Sequence, residues 1–278
     1  MRSKVSLRGG VALVTGAGSG IGRATAVALA REGSTVLCVD VDEGTAKATA
    51  GVCRDLGVDA IAYQCDVADR GAVTGLAEQV DREHGPLTVL VNNAGVGLGG
   101  GFADMTVDDW DWIRSINLDG VVYGCHAFGP AMLSAGRGHI VNMSSGLGYI
   151  IHSTEIAYCT TKAAVLAFSR ALRADWRRQG VSVSAVCPGV INTPIAANTR
   201  LVGSLGTDTA RARVTKAFDR GHPPERVADA VLHAVRADKA MVPAGFEARA
   251  GWHLTRVLPL AVQERLGRPA PAWLTRDR

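Results

Sequence analysis

The sequence predicts an α/β fold, a doubly wound parallel sheet, and three observations carry the prediction. Six apolar, β-branched runs recur along the chain, stretches with helical apolar spacing separate them, and small and polar residues gather at the carboxyl ends of the runs. Continuous apolar strands alternating with helices need cover on both faces, which crossover helices on a parallel sheet provide. Ligands of such sheets bind outside the carboxyl ends of the strands.

The predicted strands are VALVTG (11–16), STVLCVD (34–40), DAIAYQCD (59–66), LTVLVNN (87–93), HIVNMSS (139–145) and VSVSAVCP (181–188). Between them, IGRATAVALAREG stops at Gly33 and GAVTGLAEQVDREHG at Gly85, two glycines placed to end helices. Thr106 followed by Asp109 predicts a capping box that opens a helix into the 110s. The carboxyl ends then carry TGAGSGIG, Asp40, Asp66, NNAG, SSG and PG.

A chain of 278 residues with 47% apolar and 20% charged residues is long enough for one large domain, alone or with an appendage. A net charge of +4 with no run of five like charges argues against a nucleic-acid surface. The opening MRSKVSLRGG lacks the apolar stretch of a signal peptide. No window approaches the ~20 apolar residues that span a bilayer. The six cysteines form no CxxC and no pairing rhythm, so buried free thiols in a reducing cytoplasm are expected, and no metal.

TGAGSGIG (15–22) joins the first strand to the first helix. Its glycines permit a tight turn and let backbone N–H groups approach a phosphate at the positive end of the helix. The spacing is neither GxGxxG nor a phosphate loop ending in Lys-Ser/Thr, and a plain glycine-rich turn would read the same way. Asp40 ends the second strand, 20 residues after Gly20. A carboxylate there accepts hydrogen bonds from an adenosine ribose and repels a 2′-phosphate. No arginine stands at 41, so NAD is favoured over NADP; a strand-end Asp in a turn is the alternative.

AYCTTK (157–162) places Tyr158 and Lys162 four apart, on one helix face. A phenol ionises near pH ~10, and an adjacent ammonium lowers that value. Spacing alone leaves an ordinary surface pair open. The helix is expected to bury its other face through Ala163, Leu166 and Ala167.

With these pieces in place, the chain resembles the compact, single-domain group of the short-chain dehydrogenase/reductase family over roughly residues 8–240. The motifs occur in the family's order: TGAGSGIG, the acidic Asp40, Asp66-Val67, NNAG (92–95), Asn117, Ser145, Tyr158–Lys162 and PGVINT (188–193). The resemblance implies a Rossmann-like domain over 1–243, including a substrate lid at 194–222, and a C-terminal helical extension over 244–278 is read from this chain's own tail. The resemblance also implies that Asn117, Ser145, Tyr158 and Lys162 are catalytic. Tyr158 would act as acid/base, Ser145 (with Ser144 as the rival) would hold the substrate oxygen, and Asn117 would interrupt its helix and anchor a water chain. Gly16, Ser19, Gly20, Ile21 and Gly22 would cradle the pyrophosphate side. Asp40 and Val41 would meet the ribose, and Asp66 and Val67 the adenine. Asn93, Ala94 and Gly95 would lie along the cofactor, Pro188, Gly189, Ile191 and Thr193 at the nicotinamide, and Tyr158 and Lys162 would touch it too. Asn92 would be structural.

Leu98, Leu147, Tyr149, Ile150 and Ile151 read as an apolar pocket for a lipophilic alcohol or ketone. The arginines at 200, 211 and 213 fit a solvated lid helix equally well. The tail departs from the family, whose members often close with a strand. Its apolar residues, among them Trp252, Leu254 and Val257, allow a helix beside the pocket mouth, an oligomer contact, or a membrane-surface helix that Pro259 would interrupt. The expectation is an NAD-dependent enzyme interconverting a secondary alcohol and a ketone, as a homo-tetramer or homo-dimer without an integral membrane segment. The rivals are an NADPH-dependent ketoreductase of acyl thioesters and a redox-inert NAD-binding sensor or scaffold.

Overall fold

In the computed structural model, which describes residues 5–268, all six apolar runs become parallel strands of one sheet. The elements are β1 (Val11–Thr15), α1 (Gly20–Arg31), β2 (Thr35–Asp40), α2 (Glu43–Arg54), β3 (Ala60–Gln64), α3 (Arg70–His84) and β4 (Val89–Asn92). There follow α4 (Val107–Arg114), α5 (Gly120–Ser134), β5 (Gly138–Met143), α6 (Ile156–Trp176) and β6 (Val181–Pro188). The remainder holds α7 (Asp208–Asp219), α8 (Glu225–Arg236), β7 (Met241–Ala244), α9 (Phe246–Val257) and α10 (Leu260–Leu266). The strand order is β3-β2-β1-β4-β5-β6-β7, so the winding reverses between β1 and β4.

Period-two alternation divides the core between the two faces of the sheet. Val14, Val36, Cys38 and Val91 pack with Leu29 of α1, Cys53 of α2 and Val231 of α8. The intervening Leu13, Leu37 and Leu90 pack with Val80 of α3, Phe128 of α5 and Val165 of α6. The predicted helix ends are present: Gly33 and Gly85 have φ of +83° and +70°. Thr106 and Asp109 form the capping box, each side chain bonding the other's backbone N–H at 3.1 Å.

Asn92 belongs to the frame. Its Nδ2 donates to Asn142 Oδ1 (2.8 Å), and Asn142 Nδ2 donates to Ser169 Oγ (3.0 Å), a buried polar chain tying β4 and β5 to α6. A side chain at Gly124 would strike Asn92 Oδ1 at 2.3 Å, so the glycine is the space that admits this chain.

Three expectations need correction. A seventh strand, β7, closes the sheet where the tail was read as departing from the family. Its four residues include Pro243, and a strand carrying proline is tolerated at an edge, where one side of its backbone needs no partner. In α6 the Tyr158–Lys162 side is itself the inward side. Thr161, Lys162, Val165 and Ser169 are buried; of the three residues expected to be buried, Leu166 is, while Ala163 and Ala167 are exposed.

The third correction concerns the segment expected as a lid, whose named arginines at 200 and 211 are not merely solvated. Arg200 stacks 3.6 Å over the Trp112 ring, and Arg211 Nη1 donates to the carbonyls of Ala197 (3.2 Å) and Thr199 (3.1 Å). Arg200–Leu201 also pairs with Leu98–Gly99 as a short parallel ladder.

Of the expected extension, 269–278 lies outside the described residues. The rest packs against 149–153: Tyr149 Oη donates to the Ala248 carbonyl (2.7 Å), and its ring meets Trp252 edge-on at 5.3 Å. Among the described residues no helix is long and apolar enough to cross a membrane.

Candidate active site

A cleft of about 420 Å³ opens at the carboxyl ends of the strands, where β1 and β4 diverge. Every residue expected in the site lines it except Asn117, which lies one layer behind. Gly16 and Gly20 have φ of +63° and +49°, the left-handed region that glycine enters without strain. At Gly22 a Cβ would sit 1.9 Å from the Gly16 carbonyl oxygen, so only a bare backbone lets α1 begin this close to the turn. Ser19 stands at the helix N-cap with its hydroxyl uncommitted to capping. The open N–H groups and positive end of α1 face the cleft, an arrangement that fits a pyrophosphate.

Asp40 Oδ2 accepts from Gly18 N (2.8 Å) and Oδ1 from Asp42 N (3.1 Å), which fixes the carboxylate at the lip of the cleft. Val41 beside it is 61% exposed. Asp66 Oδ1 accepts from Ala68 N (2.9 Å), and Val67 packs against Gly120. Asn93 Nδ2 donates to the Thr15 carbonyl (2.9 Å), joining the β4 end to the glycine turn. Sequence reasoning overlooked Thr15, whose Oγ1 accepts from the backbone of Asn93 (3.0 Å) and Ala94 (3.1 Å); its signal was its place immediately before Gly16.

At the other end of the cleft the geometry separates the two serines. Ser144 Oγ donates to the Lys162 carbonyl (2.7 Å) and so anchors α6. Ser145 Oγ accepts from Leu147 N (3.2 Å), and its hydroxyl stands near enough to the Tyr158 phenol to lower that phenol's pKa. Lys162 Nζ donates to the Met143 carbonyl (3.1 Å) and lies 5.7 Å from the Tyr158 ring centre. Asn117 sits in a π-helical turn, Ser115–Asp119, between α4 and α5. There its amide bonds both backbone groups of Val96, accepting from N at 2.8 Å and donating to O at 2.9 Å. A Cβ on Gly95 would fall 3.1 Å from Asn117 Oδ1 and 3.2 Å from Lys162 Nζ, so a glycine allows these two side chains to converge.

Burial pushes the Tyr158 phenol up to about 12, opposed by the Ser145 hydrogen bond. Burial also lowers Lys162 to about 8. Glu155, one helical turn before Tyr158, is raised to about 7 by burial alone; its isolated position in the sequence gave no signal. The apolar surroundings differ from expectation. Leu98 packs with Ile113, Trp110, Trp112, Val202 and Tyr158. Tyr149 and Ile150 are covered by α9, and Ile151 is 52% exposed. The tryptophans carry no local signal, because Arg200 comes to lie over Trp112 from 88 positions later in the chain.

The chain belongs to the short-chain dehydrogenase family: the profile described as short chain dehydrogenase matches residues 10–201. The oxidoreductases of this family act at CH–OH groups, and particular relatives narrow the comparison. The chain is 44% identical over 257 residues to the Mycobacterium tuberculosis protein named "Probable oxidoreductase EphD", covering 90% of this chain but 43% of that protein. The chain therefore spans less than half the length of that relative. A D-threitol dehydrogenase of Mycolicibacterium smegmatis is 41% identical over 192 residues, covering 68% of this chain and 73% of its own. Among solved structures, a short-chain dehydrogenase/reductase from Burkholderia phymatum in complex with NAD superposes with a TM-score of 0.82 at 30% identity, covering 96% of this chain and 98% of that one. A Beutenbergia cavernae structure with NADP bound at low occupancy gives 0.77 at 32% identity, covering 88% and 98%.

A lysine whose folded pKa lies below its unfolded value destabilises the fold wherever it must stay charged. Lys162 falls from 10.5 to about 8, so stability rises as pH climbs through that window and the cost is fully present below it. At pH 7, Lys162→Met is expected to raise the thermal midpoint by about 2–4 °C, while turnover is lost. Differential scanning fluorimetry at pH 7 and pH 10 checks both the gain and its shrinkage at high pH.

Proposed function

We propose that the protein is an NAD-dependent dehydrogenase/reductase that interconverts a secondary alcohol and a ketone, with Tyr158 as the acid/base. The observation that carries the reading is the meeting of Ser145, the Tyr158 phenol and the buried Lys162 in the same cleft as the glycine turn. A bound nicotinamide supplies the hydride acceptor or donor. Ser145 and Tyr158 hold the substrate oxygen, and Tyr158 takes its proton during oxidation and returns it during reduction. Lys162 favours the tyrosinate by its charge, and Asn117 holds the Val96 backbone that walls the site.

Asp40 supports NAD. Its carboxylate stands where a 2′-phosphate would bring a second negative charge, and both of its oxygens are already fixed by backbone N–H groups. The apolar side chains that line the cleft, Val96, Ile116, Ile195 and Phe218, support a lipophilic substrate over a polyol. The family resemblance supports a homo-tetramer or homo-dimer. Six buried, unpaired cysteines support a reducing cytoplasmic setting.

A panel of secondary alcohols and ketones run in parallel with NAD and NADP tests the reading. Tyr158→Phe is expected to keep cofactor affinity and to lose turnover by about 10²–10⁴-fold, the share that positioned acid/base groups contribute. Turnover equal to the parent protein would remove Tyr158 from the mechanism. Asp40→Ala is expected to weaken NAD binding and to narrow the preference over NADP, measured as the ratio of kcat/KM values. A parent enzyme that prefers NADP would refute the cofactor assignment.

A further inference from the structure

We infer that Glu247, in the first turn of α9, is a positioning residue for the nicotinamide end of the site. The inference rests on the dinucleotide reading above. Glu247 Oε1 accepts from the Val190 backbone N–H at 2.7 Å, and Oε2 lies 3.0 Å from His222 Nε2. Val190 lies within PGVINT, the loop that leaves β6 and lines the cleft through Gly189, Ile191 and Thr193. His222 follows α7, at the point where the lid segment returns to the body of the protein. One carboxylate thereby joins three segments far apart in sequence.

The loop has a second tie to the lid's return. His222 N donates to the Val190 carbonyl and Asn192 N to the His222 carbonyl, both at 2.9 Å, forming a bridge at Ile191. Gly189 N donates to the Ala244 carbonyl at the end of β7 (2.8 Å). Without Glu247, Val190 N is the backbone donor of this turn that loses its acceptor. The approach is close: a Cβ on Gly189 would fall 2.2 Å from Glu247 Oε1, and Gly245 has φ of +115° where the chain turns into α9. Both glycines make room for the carboxylate. Burial opposes its ionisation, but its own helix N-terminus, Val190 N and His222 outweigh that and hold its pKa below the usual range.

Removing the carboxylate frees the loop at the nicotinamide end and leaves the glycine turn, Asp40 and Asp66 untouched at the adenosine end. The test compares NAD with ADP-ribose, which lacks the nicotinamide, by titration calorimetry on the full chain. Glu247→Ala is expected to weaken NAD about tenfold and ADP-ribose less than twofold. Glu247→Gln keeps an acceptor for Val190 N and is expected to stay within about threefold of the parent for NAD. His222→Gln, which leaves Val190 N its acceptor, serves if Glu247→Ala fails to fold, and should shift NAD in the same direction by a smaller factor. Unchanged NAD affinity in Glu247→Ala or, should that variant not fold, in His222→Gln, or equal weakening of NAD and ADP-ribose, overturns the inference. A parent protein that binds neither NAD nor NADP overturns the dinucleotide reading itself, and this inference with it.

Discussion

Lys162 carries its ammonium into the interior at the carboxyl edge of the sheet, and much of the site is arranged around that placement. A desolvated cation is costly, and here the Met143 carbonyl bonds it directly while, among the described residues, no carboxylate forms an ion pair with it. The neighbouring positions make room for it. Gly95 leaves out a side chain, Ser144 ties the backbone of Lys162 itself, and the π-turn pulls Asn117 aside to bond Val96. A buried ammonium held against the stability of the fold is what the proposed chemistry needs.

Magnitudes decide what that ammonium can achieve. An ammonium about 5.7 Å from the Tyr158 ring contributes about 3 kcal/mol at an effective dielectric of ~20, roughly two pK units. Bringing a phenol from about 12 to neutrality takes about 7 kcal/mol. Lys162, at about 8, also surrenders its proton before the phenol does. Lysine alone is therefore insufficient. In the proposed mechanism, Ser145 and the positive ring of an oxidised nicotinamide would supply the difference, so that the base would act only with the cofactor in place.

The sequence carried the first six strands, the glycine turn and the Tyr158–Lys162 pair because each is written in local spacing. It hid what depends on distant partners. β7 is MVPA, four mostly half-buried residues broken by a proline, with no continuous apolar run to mark it. Arg200 looks solvated until Trp112, 88 positions earlier, is brought beneath it. Glu247 and His222 form a pair only after the tail has folded onto the loop leaving β6. The inward face of α6 was misread because alanines are weak evidence of burial, and the face that carries the functional pair was taken as the outer one.

The most direct test of the central claim is a spectroscopic titration of tyrosinate with and without NAD, in the parent protein and in Tyr158→Phe. The protein has four tyrosines, and the Tyr158→Phe control assigns the titration to one of them. The account predicts that NAD brings one tyrosine's ionisation down by several pH units, to between about pH 7 and 9, and that Tyr158→Phe abolishes this change. An ionisation that NAD leaves in place, or one that persists without Tyr158, would contradict it.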